Sequence, residues 1–284
     1  MISASVSQIK SYSGCAKQWQ YRKLIRAPYK PNINRVMGKA VHAGIEVFNG
    51  FLVSGAAPDS DPVVDRFELD FLEHLEDYMV EDEYRKYLKK SKAKSPMNEE
   101  SFRKKLETDH LSIGKDLLFQ FMSRTDHGSE FLIVEQMLEH TMTVAGEEIL
   151  FRFIPDIVDN HNGKIRLRDY KTKGKEDSKL AEFQLTAYAY LLKEVRGLEI
   201  EEIDQLGFIK SIRNPRIQTL VYDMARLDED IAIFLEELDT FVRGIQAEVF
   251  PRNTDHIFCP SCDYREYCFN PSKPPVAASE GFEA

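Results

Sequence analysis

The sequence predicts an α/β fold, with a central mixed β-sheet flanked by helices and a helical insertion ahead of the sheet. Three observations point there. Two β-rich apolar runs, Ile149 to Val158 and Lys164 to Tyr170, bracket the segment Asp159-Asn160-His161-Asn162-Gly163. Asn-Gly accepts positive φ at both turn positions, so this segment reads as a hairpin. Apolar residues recur at helical spacing in Phe67 to Tyr78 and Leu111 to Met122, before the sheet. Further β-rich runs at Ile203 to Ile209 and Ile217 to Tyr222 lie beyond another helical stretch.

In order along the chain, Ser5-Val6-Ser7-Gln8 resembles a capping box that opens a helix through about Ile25, with Pro28 and Pro31 ending it. A second helix is expected from about Val36 to Leu52. Gly38, His42 and Glu46 recur every four residues there and share a face. Pro58 to Pro62 is a turn-rich break, and residues 63–130 read as mostly helical, with a charged, poorly periodic joint. Short strands follow at Phe131 to Glu135 and His140 to Val144. A longer one, Glu148 to Ile157, is set off by an Ala145-Gly146 hairpin. Ser178 is expected to cap a helix through about Val195. Arg213-Asn214-Pro215-Arg216 makes a basic turn between the last two strands, and a helix runs from Asp228 to Ala247. The tail after Pro271, rich in Pro, Ser, Ala and Glu, is expected to be disordered.

The chain has 284 residues, 43% of them apolar, enough for a sizeable core. It contains no run of eighteen apolar residues, so no membrane span is expected. Met1-Ile2-Ser3-Ala4 lacks a basic region followed by an apolar one, so no secretory signal is read and a cytoplasmic location is expected. The net charge of −9 argues weakly against a nucleic-acid binder, but the charge is uneven. Basic residues gather at Arg85 to Lys94, Arg103 to Lys105 and Arg166 to Lys179. Acidic ones crowd Glu199 to Asp204 and Asp228 to Asp239.

Two constellations carry chemistry. Side chains two apart on a strand share a face, which places Asp169 and Lys171 together, about 6.6 Å apart along the backbone. The hairpin folds Asp156 back beside them. Two carboxylates and an ammonium at one spot suit a divalent metal, an activated water and an anionic substrate. The second constellation is Cys15, Cys259, Cys262 and Cys268, which are all four cysteines of the chain. Three fall within ten residues as CxxC and Cx₅C. In an intracellular protein that pattern reads as a metal site. Spacing alone leaves zinc and an iron–sulfur cluster both open.

Taken together, these residues resemble the PD-(D/E)XK nuclease superfamily, in its RecB-like branch with a C-terminal iron–sulfur cluster. That branch includes the CRISPR-associated RecB-type exonucleases and the AddB nuclease domain. Gly38-Lys39-Ala40-Val41-His42 resembles the GxxxH helix motif, whose histidine ligates metal. Asp156 and the Asp169-x-Lys171 pair resemble the motif that gives the family its name, and Gln184-Leu185-Thr186-Ala187-Tyr188 resembles the QxxxY helix motif. The order His, Asp, Asp-x-Lys, Gln-x₃-Tyr, CxxCx₅C is the specific signal, since each piece alone is weak.

The resemblance implies a restriction-endonuclease-like core, with residues 1–270 as one nuclease domain, 58–130 as its helical insertion and the cysteines joining the two terminal segments. It implies His42, Asp156, Asp169 and the Tyr170 carbonyl as ligands of Mg²⁺ or Mn²⁺. It assigns Asp156, Asp169, Lys171, Gln184 and Tyr188 to catalysis, with Lys171 orienting the attacking water. It implies a 4Fe–4S cluster on Cys15, Cys259, Cys262 and Cys268. Glu135 lies on the strand before the core, with no role assigned.

The activity so implied is a metal-dependent DNA exonuclease acting on single-stranded ends and leaving 5′-phosphate and 3′-hydroxyl. A structure-specific endonuclease and a non-catalytic nucleic-acid-binding subunit are the competing readings. A helicase, recombination or CRISPR-adaptation partner is expected to supply any unwinding. Lys173, Lys175 and Lys179 are candidate phosphate contacts, as are Arg213 and Arg216. Arg166 and Arg168 point away from the catalytic face and are expected to be solvated. Tyr12, Trp19 and Tyr21 are expected to pack in the core.

Overall fold

The computed structural model describes residues 2–28, 33–76, 80–91, 95–125, 129–175 and 181–270. The Ser178 cap, Lys179, part of the basic run ending at Lys94 and the tail from residue 271 lie outside them. The helical segments are α1 (Val6–Gly14), α2 (Ala16–Trp19), a π-helical turn at Gln20–Leu24, α3 (Ile33–Ser54), α4 (Ser60–Glu76), α5 (Val80–Lys90) and α6 (Glu99–Arg124), followed by α7 (Glu182–Arg196), α8 (Leu227–Gln246) and α9 (Arg265–Phe269). The strands are β1 (Ile2–Ala4), β2 (Glu130–Val134), β3 (Leu138–Val144), β4 (Glu147–Phe153), β5 (Ile157–His161), β6 (Lys164–Lys173), β7 (Glu202–Ile209) and β8 (Arg216–Val221).

The strands form two sheets rather than one. The larger runs β2-β5-β6-β7-β8, and the smaller runs β1-β4-β3. Both are mixed, since β6 pairs parallel with β7, and β1 parallel with β4, while the other pairs are antiparallel. The helix α7 carries the chain from β6 to β7, as a parallel connection requires. Both hairpin turns use left-handed backbone: Ala145 and Gly146 at φ 51° and 82°, Asn162 and Gly163 at φ 54° and 84°. These are the conformations that match the strand twist.

Four expectations need correction. The run from Glu148 to Ile157 is not one strand. It breaks at Ile154-Pro155-Asp156, because proline offers no N–H to a ladder, and its halves enter different sheets. The N-terminal helix does not continue to Ile25. It stops at Cys15, which is extended (φ −164°, ψ 100°), and resumes as a short α-turn and a π-turn. Ser5 does cap it, accepting from the N–H of Gln8. The expected break at Pro58 to Pro62 is partly helical, since α4 begins at Ser60 and tolerates Pro62 in its first turn. Arg166 and Arg168 are not solvated. Arg166 is 6% exposed and binds Asp159 through two hydrogen bonds of 3.0 and 2.5 Å. Arg168 binds Asp204 through two of 2.6 Å.

Two apolar cores flank β6. One joins Ile9, Trp19, Phe151, Leu167, Leu185, Phe234 and Phe241, from α1, α2, β4, β6, α7 and α8. The other joins Phe48, Phe67, Phe71, Phe121, Tyr170 and Phe208, between α3, α4, α6 and the larger sheet. The strand β6 is therefore buried on both faces, with Leu167 in the first core and Tyr170 in the second. Tyr12 and Trp19 pack edge-on against Phe241, in accord with a core role.

Candidate active site

The site is assembled where β6 leaves its hairpin. Ile157 pairs with Arg168, so Asp156, one residue before β5, reaches the level of Asp169 and Tyr170. The backbone N–H of Tyr170 donates to Asp156 Oδ2 at 2.6 Å. The N–H of Glu135, just beyond β2, donates to the Asp156 carbonyl at 3.0 Å and pins the corner from the other side. Glu135 itself is held at φ 44°, a left-handed conformation that a non-glycine residue adopts only under constraint.

Asp169 is 2% exposed and accepts from three donors. Lys171 Nζ lies 2.9 Å and Gln184 Nε2 3.2 Å from Oδ1, and Gln205 Nε2 lies 2.8 Å from Oδ2. Lys171 keeps 37% of its side chain accessible, so its ammonium faces outward while anchored on a buried carboxylate. Tyr188, one helical turn from Gln184 on α7, lies beside the Gln184 side chain and the Ile154 backbone. Burial and the two nearby aspartates raise its phenol above the ordinary range.

On the opposite side stands α3. His42 Nε2 lies 3.2 Å from the Tyr170 carbonyl oxygen. Burial, aided by Lys171, lowers the His42 pKa, which favours the neutral imidazole a metal ligand requires. The helix α3 meets β6 at Gly38, where a Cβ would lie only 3.0 Å from Thr172 Oγ1.

The electrostatics are those of excess negative charge. Asp156 is pushed up to about 8, chiefly by burial and then by the neighbouring Asp169. Glu135 is raised to about 7 by burial and by Glu46. The Glu135 Oε1 atom is buried without a hydrogen-bond partner among the described residues, as are both amide atoms of the neighbouring Asn49. Among those residues, no three His, Cys, Asp or Glu side chains already stand within reach of one ion. The donor set nevertheless fits a hard divalent cation: two neighbouring carboxylates with surplus charge, and the Tyr170 carbonyl and the His42 imidazole beside them.

The sequence-predicted residues His42, Asp156, Asp169, Tyr170, Lys171, Gln184 and Tyr188 thus gather at one place. Lys173 continues the same face of β6, its stem lying over Gly207. Sequence reasoning missed Gln205 and Asn49. A glutamine inside the apolar run Ile203 to Ile209 was a visible signal, but only the β6–β7 register shows what it faces.

The cysteines lie elsewhere, around a small shared cavity of about 30 Å³. Cys15 sits at the break after α1, Cys259 opens a 3₁₀ turn (Cys259–Ser261), Cys262 follows it, and Cys268 lies on α9. All four are free thiols lining that cavity with Tyr21, Arg252 and Arg265. Burial raises the Cys262 thiol, with Cys15 and Cys259 adding to the effect. The terminal segments meet here: Asn253 donates its N–H to Cys15 Sγ at 3.4 Å, and the ring of Tyr264 lies 5.8 Å from that of Tyr21.

A mixed sheet that presents an aspartate and a lysine from its central strand and a second aspartate from the start of the neighbouring strand, between flanking helices, defines a restriction-endonuclease-like fold. The chain belongs to the PD-(D/E)XK nuclease superfamily, whose family model matches residues 3–269. Nucleases of this superfamily usually use divalent metals. No curated protein matches the sequence. Among solved structures, one from Eubacterium rectale described as a "Putative exonuclease" is 14% identical with a TM-score of 0.52, covering 95% of this chain and 89% of its own. A second, SSO0001, is also 14% identical, with a TM-score of 0.35, covering 70% of this chain and 97% of its own.

Proposed function

We propose that this nuclease is a Mg²⁺- or Mn²⁺-dependent DNA exonuclease that degrades from single-stranded ends and leaves 5′-phosphate and 3′-hydroxyl termini. The observation that carries the proposal is the convergence of Asp156, Asp169 and Lys171, with His42 and the Tyr170 carbonyl beside them. Asp156, Asp169, His42 and the Tyr170 carbonyl would hold the ion. A divalent cation so held neutralises phosphate charge and lowers the pKa of a water at neutral pH. Lys171 orients that water from the accessible side and donates to the phosphate as negative charge develops. Gln184 steadies Asp169, and Tyr188 closes the wall of the site at the Ile154 corner. Lys173 and Lys175, following Lys171 along the chain, suit contacts to the phosphates of the substrate strand.

Residues 1–270 act as one nuclease unit in the cytoplasm, and unwinding falls to a helicase or to recombination or CRISPR-adaptation partners. We assign a 4Fe–4S cluster to Cys15, Cys259, Cys262 and Cys268. The support for a cluster is the resemblance of the CxxCx₅C spacing, and Arg252 and Arg265, which line the same cavity as the four thiols, would offset the charge of the bound group.

The test is incubation of 5′- and 3′-labelled DNA, single- and double-stranded, linear and circular, with Mn²⁺ or Mg²⁺. Mononucleotide release from linear single strands is expected. Cleavage of circles would replace the exonuclease by an endonuclease, and silence with both metals would leave only nucleic-acid binding.

A further inference from the structure

We propose that Gln205 is a positioning residue for the cation site, acting through Asp169; the inference rests on the metal-dependent nuclease reading above. Gln205 is 1% exposed and lies in the middle of β7, with its Cα paired in parallel register to that of Asp169. Paired side chains on adjacent parallel strands share a face about 4.8 Å apart. From there the glutamine amide reaches Asp169 Oδ2 at 2.8 Å.

The reason this contact matters is geometric. The terminal torsion of an aspartate is broad and roughly two-fold, so its own covalent structure does not set the plane of the carboxylate. At Asp169 that plane is set from outside. Lys171 and Gln184 both donate to Oδ1, and among the described residues Gln205 alone donates to Oδ2. Two donors on one oxygen leave the group free to pivot about it. A third on the other oxygen fixes the pivot and keeps Oδ1 turned to the side where Lys171 and Gln184 stand. The position asks nothing polar of its strand. Apart from Asp204, which is paired with Arg168, its neighbours Ile203, Leu206, Phe208 and Ile209 are buried hydrophobics, and an apolar side chain would pack in the sheet as well. Hydrogen-bond partners behind a metal-binding side chain commonly change metal affinity or activity by 10- to 100-fold when lost.

The test compares the full chain with Gln205→Leu and Gln205→Met, which retain bulk but lose the donor. Mn²⁺ binding to metal-free protein is measured by titration calorimetry without DNA, beside circular dichroism and thermal melting. The parent is expected to bind Mn²⁺. Both variants are expected to fold and to bind it about 10- to 100-fold more weakly. In cleavage assays their loss should shrink as Mn²⁺ is raised, with KM for DNA little changed. Variant affinities within about twofold of the parent overturn the inference and leave the nuclease reading standing. Failure of both variants to fold overturns it too, since the residue is then structural. A parent chain that binds no Mn²⁺ removes the nuclease reading itself, and this inference with it.

Discussion

Tyr170 N–H donates to Asp156 Oδ2 at 2.6 Å, so the strand that leaves the hairpin holds the aspartate that precedes it. The bond converts a turn signal into a site, because it brings Asp156 level with Asp169, thirteen positions further along the chain, in the sheet. It also places the Tyr170 carbonyl next to His42 on α3, while the Tyr170 ring is buried against Phe121 and Phe208. One residue thereby joins the core to the chemistry.

Lys171→Ala is expected to lower cleavage at least 100-fold while DNA binding survives. The lysine is the accessible cation of the group, and the loss of a preorganised transition-state donor has about that effect. Asp169 keeps Gln184 and Gln205 as donors, so the fold should hold. Single-turnover cleavage and filter binding measure the two properties separately. Turnover near the parent rate would remove Lys171 from the mechanism.

The sequence made the hairpin, the acidic pair and most helices legible because each rests on local signals: Asn-Gly geometry, two-residue alternation and helical periodicity. What it hid depends on partners distant in sequence. The split at Pro155 was written in the chain, but the apolar runs on both sides masked the change of sheet. Strand β1 is three residues long and gains its identity only from pairing with β4. Arg166 and Arg168 read as solvated because a basic residue on a strand is ordinarily outside. Their partners Asp159 and Asp204 come from both neighbouring strands. Gln205 became meaningful only with the register of β7 against β6.

Breaking the Arg168–Asp204 pair tests how far that strand depends on charge. Both side chains are largely buried, with two hydrogen bonds of 2.6 Å between them. Arg168→Met strands the Asp204 carboxylate, with Arg166 Nη1 3.9 Å away, and should cost about 3–5 kcal/mol. The double variant Arg168→Met/Asp204→Leu should recover most of that loss. Urea unfolding of the four proteins of the cycle gives the coupling. Equal stabilities for the single and double variants would contradict it.

Cys15→Ala tests the junction of the termini. Cys15 borders the same cavity as the other three thiols, at the helix break that turns it there. The variant, purified without oxygen, should lose the brown colour of an iron–sulfur protein and melt at lower temperature, because cluster binding contributes to folding. A colourless parent with stoichiometric zinc would replace the cluster by zinc and leave the nuclease site untouched.

The metal-free protein should lose stability as pH rises from about 4 to about 8. Glu135 moves from its ordinary 4.5 to about 7 in the fold, and Asp156 from 3.8 to about 8, in both cases chiefly through burial. Between the unfolded and folded values the native state binds more protons than the unfolded one, so unfolding free energy falls with increasing pH across that window. The contribution is fully present below the unfolded values and gone above the folded ones. A divalent cation held by Asp156 would take the place of its proton, so Mn²⁺ should raise the melting temperature more at pH 8 than at pH 5. Melting curves at both pH values, with and without Mn²⁺, measure this directly. Replacing Glu135 by Gln should flatten part of the metal-free pH dependence, because it removes one of the two groups that must ionise inside the fold. A metal-free melting temperature that climbs steadily between pH 5 and pH 8 would show that these carboxyls do not govern the stability of the site.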